Sequence, residues 1–194
     1  MFSNGASNFE YDVAWDMDEF WVFGYGSLMW NPGFAFEERR PARAFGFRRS
    51  LCVWSYVHRG TPEHPGLVLG LDRGGSCRDV AFRVSEENRE DVLDYLRRRE
   101  LVTNVYKEKI LPVSLGDGRQ VRAVGYIVDR QHVQYAGALG IEDAAEIVRT
   151  SSGQSGPNDA YVFNTLSHLK EMGIRDLWLE GVGVSVSARL QAAV

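Results

Sequence analysis

The chain has 194 residues, of which 44% are hydrophobic and 12% aromatic, enough for one domain with a substantial core. Its net charge of −4 provides no basic footprint, which excludes nucleic acid as the expected partner. Two cysteines, Cys52 and Cys77, lie outside any CxxC, and four histidines lack paired-ligand spacing, so neither a disulfide framework nor a metal site is expected.

Residues 1–18 are polar, acidic towards their end, and read as a flexible or partly docked lead-in to a single domain over 19–194. They lack the basic and apolar regions of a signal peptide, and no stretch approaches about 18 consecutive apolar residues. A soluble, cytoplasmic protein with no membrane contact is the expectation. From Trp21 an apolar, aromatic run reads as a buried strand that breaks at Gly24. Residues 34–43 are charged and read as irregular. The aromatic and β-branched stretch 44–57 predicts a strand. A Gly/Pro-punctuated loop follows over 60–66, then a short strand over 67–71, a turn over 72–76 and a strand over 79–84. Ser85 is placed to cap a helix with Glu86 and Glu87 in its first turn and Val92, Leu93 and Leu96 as its apolar stripe, ending near Glu100. Residues 104–115 and 120–128 flank Gly116-Asp117-Gly118 as a hairpin. Helices are predicted over 141–150, from about 158 to Gly173, and over 175–190, with a sharp loop at 153–158. Strands first and helices later predict an α+β fold: a small mixed, barrel-like sheet with helices packed around it.

Gly24-Tyr25-Gly26-Ser27-Leu28 ends the first strand. Glycines one residue apart leave backbone N–H groups approachable and permit positive φ, which suits a small anionic or carbonyl-bearing ligand. A tight turn packed for its own sake fits the same spacing. A dinucleotide fingerprint would need glycine at Met29, and a nucleophile elbow around Ser27 would need glycine at Tyr25 and Met29. Around Ser155 the elbow is spoiled by Pro157. Glu100 follows Arg97, Arg98 and Arg99. It reads either as part of a solvated charged face or as a proton-transfer group. In the second case the helix C-terminus and burial would raise its pKa while the adjacent arginine opposes them. Tyr25, Tyr106 and Tyr126 lie in strand-like segments, as core residues or as site residues. Arg48 and Arg49 have the geometry to grip a carboxylate, or serve at the surface. His58 falls on a loop.

Trp21-Val-Phe-Gly-Tyr-Gly-Ser-Leu28, followed by Trp30-Asn-Pro-Gly-Phe34, resembles the signature of the ChaC-type γ-glutamylcyclotransferases. The resemblance continues through His58-Arg-Gly-Thr-Pro-Glu-His-Pro-Gly66, Gly75-Ser-Cys77, Tyr95-Leu-Arg-Arg-Arg-Glu100, Tyr106 and Gly153-Gln-Ser-Gly-Pro-Asn158. It spans about residues 20–187. It implies a small β-barrel with surrounding helices and cleavage of glutathione to 5-oxoproline and cysteinylglycine, with no metal and no cofactor. It also implies that Tyr25, Gly26, Ser27 and Leu28 hold the γ-glutamyl group and that Glu100 is the acid/base. Arg48, Tyr106 and Tyr126 complete the expected substrate-binding set. The family's usual glycines between the glutamate and the next tyrosine are replaced here by Leu101-Val-Thr-Asn-Val105, beside the expected base. In this chemistry the substrate's own α-amine attacks its γ-carbonyl, so no enzyme nucleophile is needed. The alternatives are a cyclotransferase for other γ-glutamyl peptides or γ-glutamylamines, and a non-catalytic γ-glutamyl-binding module. Oligomeric state is not legible in the sequence.

Overall fold

The structure, a computed structural model, describes residues 16–192, with side chains within 19–188. The lead-in expected over residues 1–15 lies outside the described residues, and positions 16–18 already belong to the first strand. Five strands, β1 (Asp16–Gly24), β2 (Glu38–Ser55), β3 (Gly66–Val84), β4 (Tyr106–Leu115) and β5 (Gln120–Val128), close a barrel in the order β1-β3-β2-β4-β5. The neighbours in that order pair antiparallel, and a parallel β1–β5 seam completes the ring. Helix α1 (Arg89–Glu100) follows β3. Helix α2 (Ile141–Thr150), the short hairpin β6–β7 (Ser152–Gly153 and Gly156–Pro157), α3 (Asn158–Glu171) and α4 (Leu177–Ala192) follow the barrel. This is the α+β barrel with surrounding helices that the element order predicts.

The apolar run of β1 is continuous because both its faces are buried. Trp21 and Phe23 join a cluster drawn from all five strands, including Ala44, Leu71, Val113 and Ala123, which fills the barrel. Phe20 and Val22 point the other way, into a cluster with Val92, Leu93 and Leu96 of α1. A third cluster packs α2, α3 and α4 over Leu51, Leu67, Leu69 and Phe82. Side chains alternate across a strand while a helix presents one stripe, so the barrel has a packed interior and helices cover part of its exterior.

Two sequence expectations are corrected. Residues 72–76 do not divide two strands: β3 runs unbroken through them as the partner of β2. The register shifts between Phe45 and Phe47, where Gly46 faces Gly74 and Gly75, and all three glycines have positive φ. The turn-forming residues therefore make a bulge inside a long ribbon. Residues 38–43 are strand: Arg39 and Arg40 are exposed, and Arg43 is exposed between the buried Ala42 and Ala44. Their charge marks the outer face. A smaller difference concerns Ser85, which does not cap α1 with its side chain. A 3-10 turn, Glu86–Asn88, intervenes, and the Ser85 hydroxyl accepts from the Asn88 amide at 3.0 Å.

Among the described residues no helix is long and apolar enough to cross a membrane. Cys52 and Cys77 are buried free thiols, each pushed up to about 12 by burial.

Candidate active site

The first strand ends where the barrel opens. Gly24 packs so closely on the Phe82 ring that a Cβ would lie 2.9 Å from it. Tyr25 remains extended, Gly26 turns into the left-handed region at φ +59°, and Gly26–Met29 forms one 3-10 turn. Any other residue at Gly26 would be strained. The first N–H groups of a helical turn have no acceptor within the helix, so this turn presents donors where the strand stops.

Helix α1 brings its last two residues against that turn. Arg99 Nη2 donates to Ser27 Oγ at 2.9 Å, and its Nη1 donates to the carbonyls of Asn31 at 2.7 Å and Pro32 at 3.2 Å and to Tyr95 Oη at 3.0 Å. Arg99 Nε lies 3.2 Å from Glu100 Oε1, and the Glu100 side chain is only 18% exposed. Burial raises the Glu100 pKa and Arg99 lowers it, with burial the larger effect. The competition left open by the sequence thus falls to burial.

Four tyrosines face the same cavity of about 470 Å³. Tyr25 Oη donates to the Tyr126 carbonyl at 2.6 Å, and Tyr106 Oη donates to the Leu69 carbonyl at 2.8 Å. Tyr126 Oη donates to Glu108 Oε2 at 3.1 Å, a carboxylate also gripped twice by Arg97, each at 2.9 Å. Tyr161 differs: its oxygen accepts from the Leu69 N–H at 3.2 Å, leaving its own proton to donate. Burial first raises all four pKa values, that of Tyr161 to about 12, with the negative charge of Glu100 adding to each. The phenols therefore stay protonated. Three have spent their proton on the protein, and Tyr161 has not.

The cavity brings together Tyr25, Gly26, Ser27, Leu28, Glu100, Tyr106 and Tyr126, seven of the eight residues of the expected catalytic and substrate-binding set. Arg48 is the exception. It lies outside this cavity, donating to the Arg73 carbonyl at 2.8 Å and to Asp72 at 3.1 Å. Adjacent strand residues point to opposite faces, and Arg48 sits where β2 and β3 pair beside the bulge, away from the barrel mouth. Sequence reasoning passed over Tyr161, Arg99 as a binding group, and Arg59. Arg59 Nη1 donates to the carbonyls of Ser155 at 2.6 Å and Pro157 at 3.2 Å, and its guanidinium lies 5.3 Å from the centre of the Tyr161 ring. The signal for Arg59 was its place beside His58, whose Nδ1 lies 3.0 Å from Ser155 Oγ. Among the described residues no group of three His, Cys, Asp or Glu side chains gathers as metal ligands.

A buried acid and a glycine turn at one barrel mouth can be compared with known proteins. The family profile described as ChaC-like protein matches residues 20–189. The chain is 36% identical over 170 residues to a glutathione-specific gamma-glutamylcyclotransferase of Escherichia coli (strain K12), covering 88% of this chain and 74% of that protein. It is 31% identical over 162 residues to glutathione-specific gamma-glutamylcyclotransferase 1 of Homo sapiens, covering 81% and 73%. Its fold matches the crystal structure of a glutathione-specific γ-glutamyl cyclotransferase from yeast with a TM-score of 0.79, at 23% identity, over 88% of this chain and 99% of that one. With the profile matching residues 20–189, the chain belongs to the ChaC-like family.

Proposed function

We propose that the protein is a γ-glutamylcyclotransferase that cleaves glutathione to 5-oxoproline and cysteinylglycine. The observation that carries this reading is Glu100: a mostly buried carboxyl with a raised pKa, on a cavity whose other wall is the glycine turn. The E. coli and human relatives carry the same activity in their names.

The chemistry asks for little else. The substrate's α-amine attacks its own γ-carbonyl carbon, forming the ring C–N bond. Glu100, as carboxylate, takes the proton that the amine must lose. The carbonyl electron pair moves onto oxygen and then returns, breaking the bond to the cysteine nitrogen. Glu100 gives its proton to that nitrogen as it leaves. Folding the glutamyl chain so that amine and carbonyl meet supplies much of the acceleration, because the reaction is intramolecular. The Tyr161 hydroxyl and the N–H groups of Gly26 and Ser27, the first two of the 3-10 turn, are the donors available to the substrate's α-carboxylate and to the developing oxyanion. Tyr25 and Tyr106 can only accept, which suits an amine. On the far side Arg59 retains Nε and Nη2 for the terminal carboxylate of the tripeptide.

A coupled assay for cysteinylglycine release tests this reading. The wild-type protein should release cysteinylglycine and 5-oxoproline in equal amounts from glutathione, faster than it cleaves γ-glutamyl-alanine or γ-glutamyl-lysine. Glu100→Gln should bind glutathione yet turn over about 100-fold or more slowly, the usual worth of a positioned acid/base. Wild-type turnover in that variant would remove Glu100 from the mechanism.

A further inference from the structure

Away from the barrel mouth, a cavity of about 620 Å³ opens between the β2–β3 ribbon and the α3–α4 connection. It shares no residue with the site described above. Five arginines line it, Arg43, Arg48, Arg49, Arg78 and Arg175, against one carboxylate, Asp176. Such a concentration is unexpected in a chain with net charge −4.

The arginines differ in how they are neutralised. Arg49 is held by Asp79 and Asp176, and Arg175 by Glu180. Arg48 shares Asp72 with Arg130, two guanidiniums on one carboxylate. Arg43 donates only to a neutral group, Ser76 Oγ, at 3.0 and 2.8 Å, with Phe45 beneath it. Among the described residues the Arg78 guanidinium has neither an ion pair nor a hydrogen bond. Arg43 and Arg78 are also direct cross-strand partners. Like charges facing each other across a strand pair, about 5 Å apart at Cβ, repel. Neither carries a compensating carboxylate, although acidic residues outnumber basic ones 26 to 22 in this chain. Two adjacent guanidinium forks can instead be bridged by an oxyanion, which turns the repulsion into four or more charge-assisted hydrogen bonds. Trp178, Leu177 and Leu139 form the apolar side of the cavity.

We infer that Arg43 and Arg78, with the half-exposed Arg48 lining the same cavity, form a second binding site for a small anion with at least two negative charges, of the diphosphate or phosphate-ester class. The site is independent of the cyclotransferase reading, because no residue is common to both.

The test is calorimetric titration of the full chain with inorganic pyrophosphate and, separately, with AMP, in EDTA at fixed ionic strength. The proposal expects one-to-one binding of at least one probe, and about tenfold or greater weakening in the Arg43→Gln/Arg78→Gln double variant. Both side chains are exposed, so that variant should keep its fold, with glutathione turnover as the check. Which probe binds tells an inorganic anion from a phosphate ester. The proposal is overturned if neither probe binds, if the double variant binds as tightly as wild type, or if chloride competes as well as pyrophosphate does.

Discussion

Glu100 is where burial and charge compete within one side chain, and the outcome shows in stability as well as in turnover. Its folded-state pKa lies above the unfolded value, raised by burial and only partly restored by Arg99. Its favourable contribution is therefore fully present below the unfolded carboxylate range and is lost as pH rises through the folded value. Glu100→Gln removes that loss. In urea titrations the variant should gain stability relative to wild type between about pH 4 and about pH 7, while losing activity. An unchanged difference between the two pH values would mean that the carboxyl is not desolvated. Ser27 sets a contrast. Its hydroxyl accepts one bond from Arg99, which is also held by Asn31, Pro32 and Tyr95. Ser27→Ala should therefore cost about tenfold or less in kcat/KM, one hydrogen bond among several. A loss as severe as that of Glu100→Gln would assign the hydroxyl a direct part in proton transfer. The type and spacing of these residues were legible in the chain. The sign of the Glu100 shift was not, because it depends on how deeply the side chain sits among Tyr25, Tyr106 and Tyr126, which arrive from distant parts of the chain. Arg48 misled for a related reason: it resembles a carboxylate clamp until its actual partner, Asp72 on β3, is seen.

At the level of elements, the far wall of the cavity is made by two short segments that brace each other. Gln154 N–H donates to the Val57 carbonyl at 2.8 Å and Ser155 N–H to the His58 carbonyl at 2.9 Å, so the β6–β7 hairpin adds onto the loop carrying Arg59. Gly153 allows the approach, since a Cβ there would lie 2.4 Å from the Val57 carbonyl oxygen. The sequence marked both segments as Gly/Pro loops without showing that they meet, because a contact between residues near 58 and near 155 leaves no local periodicity. The same blindness hid the β2–β3 ribbon, where residues 72–76 look like a turn in isolation and become a bulge only opposite Gly46. If this braced wall presents Arg59 to the terminal carboxylate, Arg59→Gln should raise KM for glutathione about tenfold or more while kcat stays within a few-fold. The KM for glutathione esterified at the glycine carboxyl should hardly move. An equal rise for acid and ester would make Arg59 a brace for the hairpin rather than a ligand for substrate.

Across the whole molecule, the barrel and the helical layer are joined by apolar packing and by one buried charge cluster. Arg49 projects from β2, its side chain 4% exposed, and meets Asp79 of β3 and, at 3.4 Å, Asp176 just before α4. Asp79 is fully buried, while Asp176 remains partly open to solvent at 19%. Arg49 Nε and Asp79 Oδ1 have no hydrogen-bond partner, so the cluster is incompletely satisfied. Such an arrangement stabilises little by itself, because desolvating the charges offsets much of their attraction. Removing one partner is another matter: burial already pushes Asp79 up to about 7 with Arg49 beside it, so the carboxyl left behind stays buried without its partner and must take up a proton. Arg49→Met should therefore destabilise the fold by about 3–5 kcal/mol in urea unfolding at neutral pH. Arg49→Met combined with Asp79→Leu should recover at least half of that loss, because the replacement removes the unpartnered buried carboxyl as well as its partner. Additive losses in the double variant would contradict this account: they would mean that the ion pair itself, rather than the cost of leaving one member alone, holds α4 against the barrel.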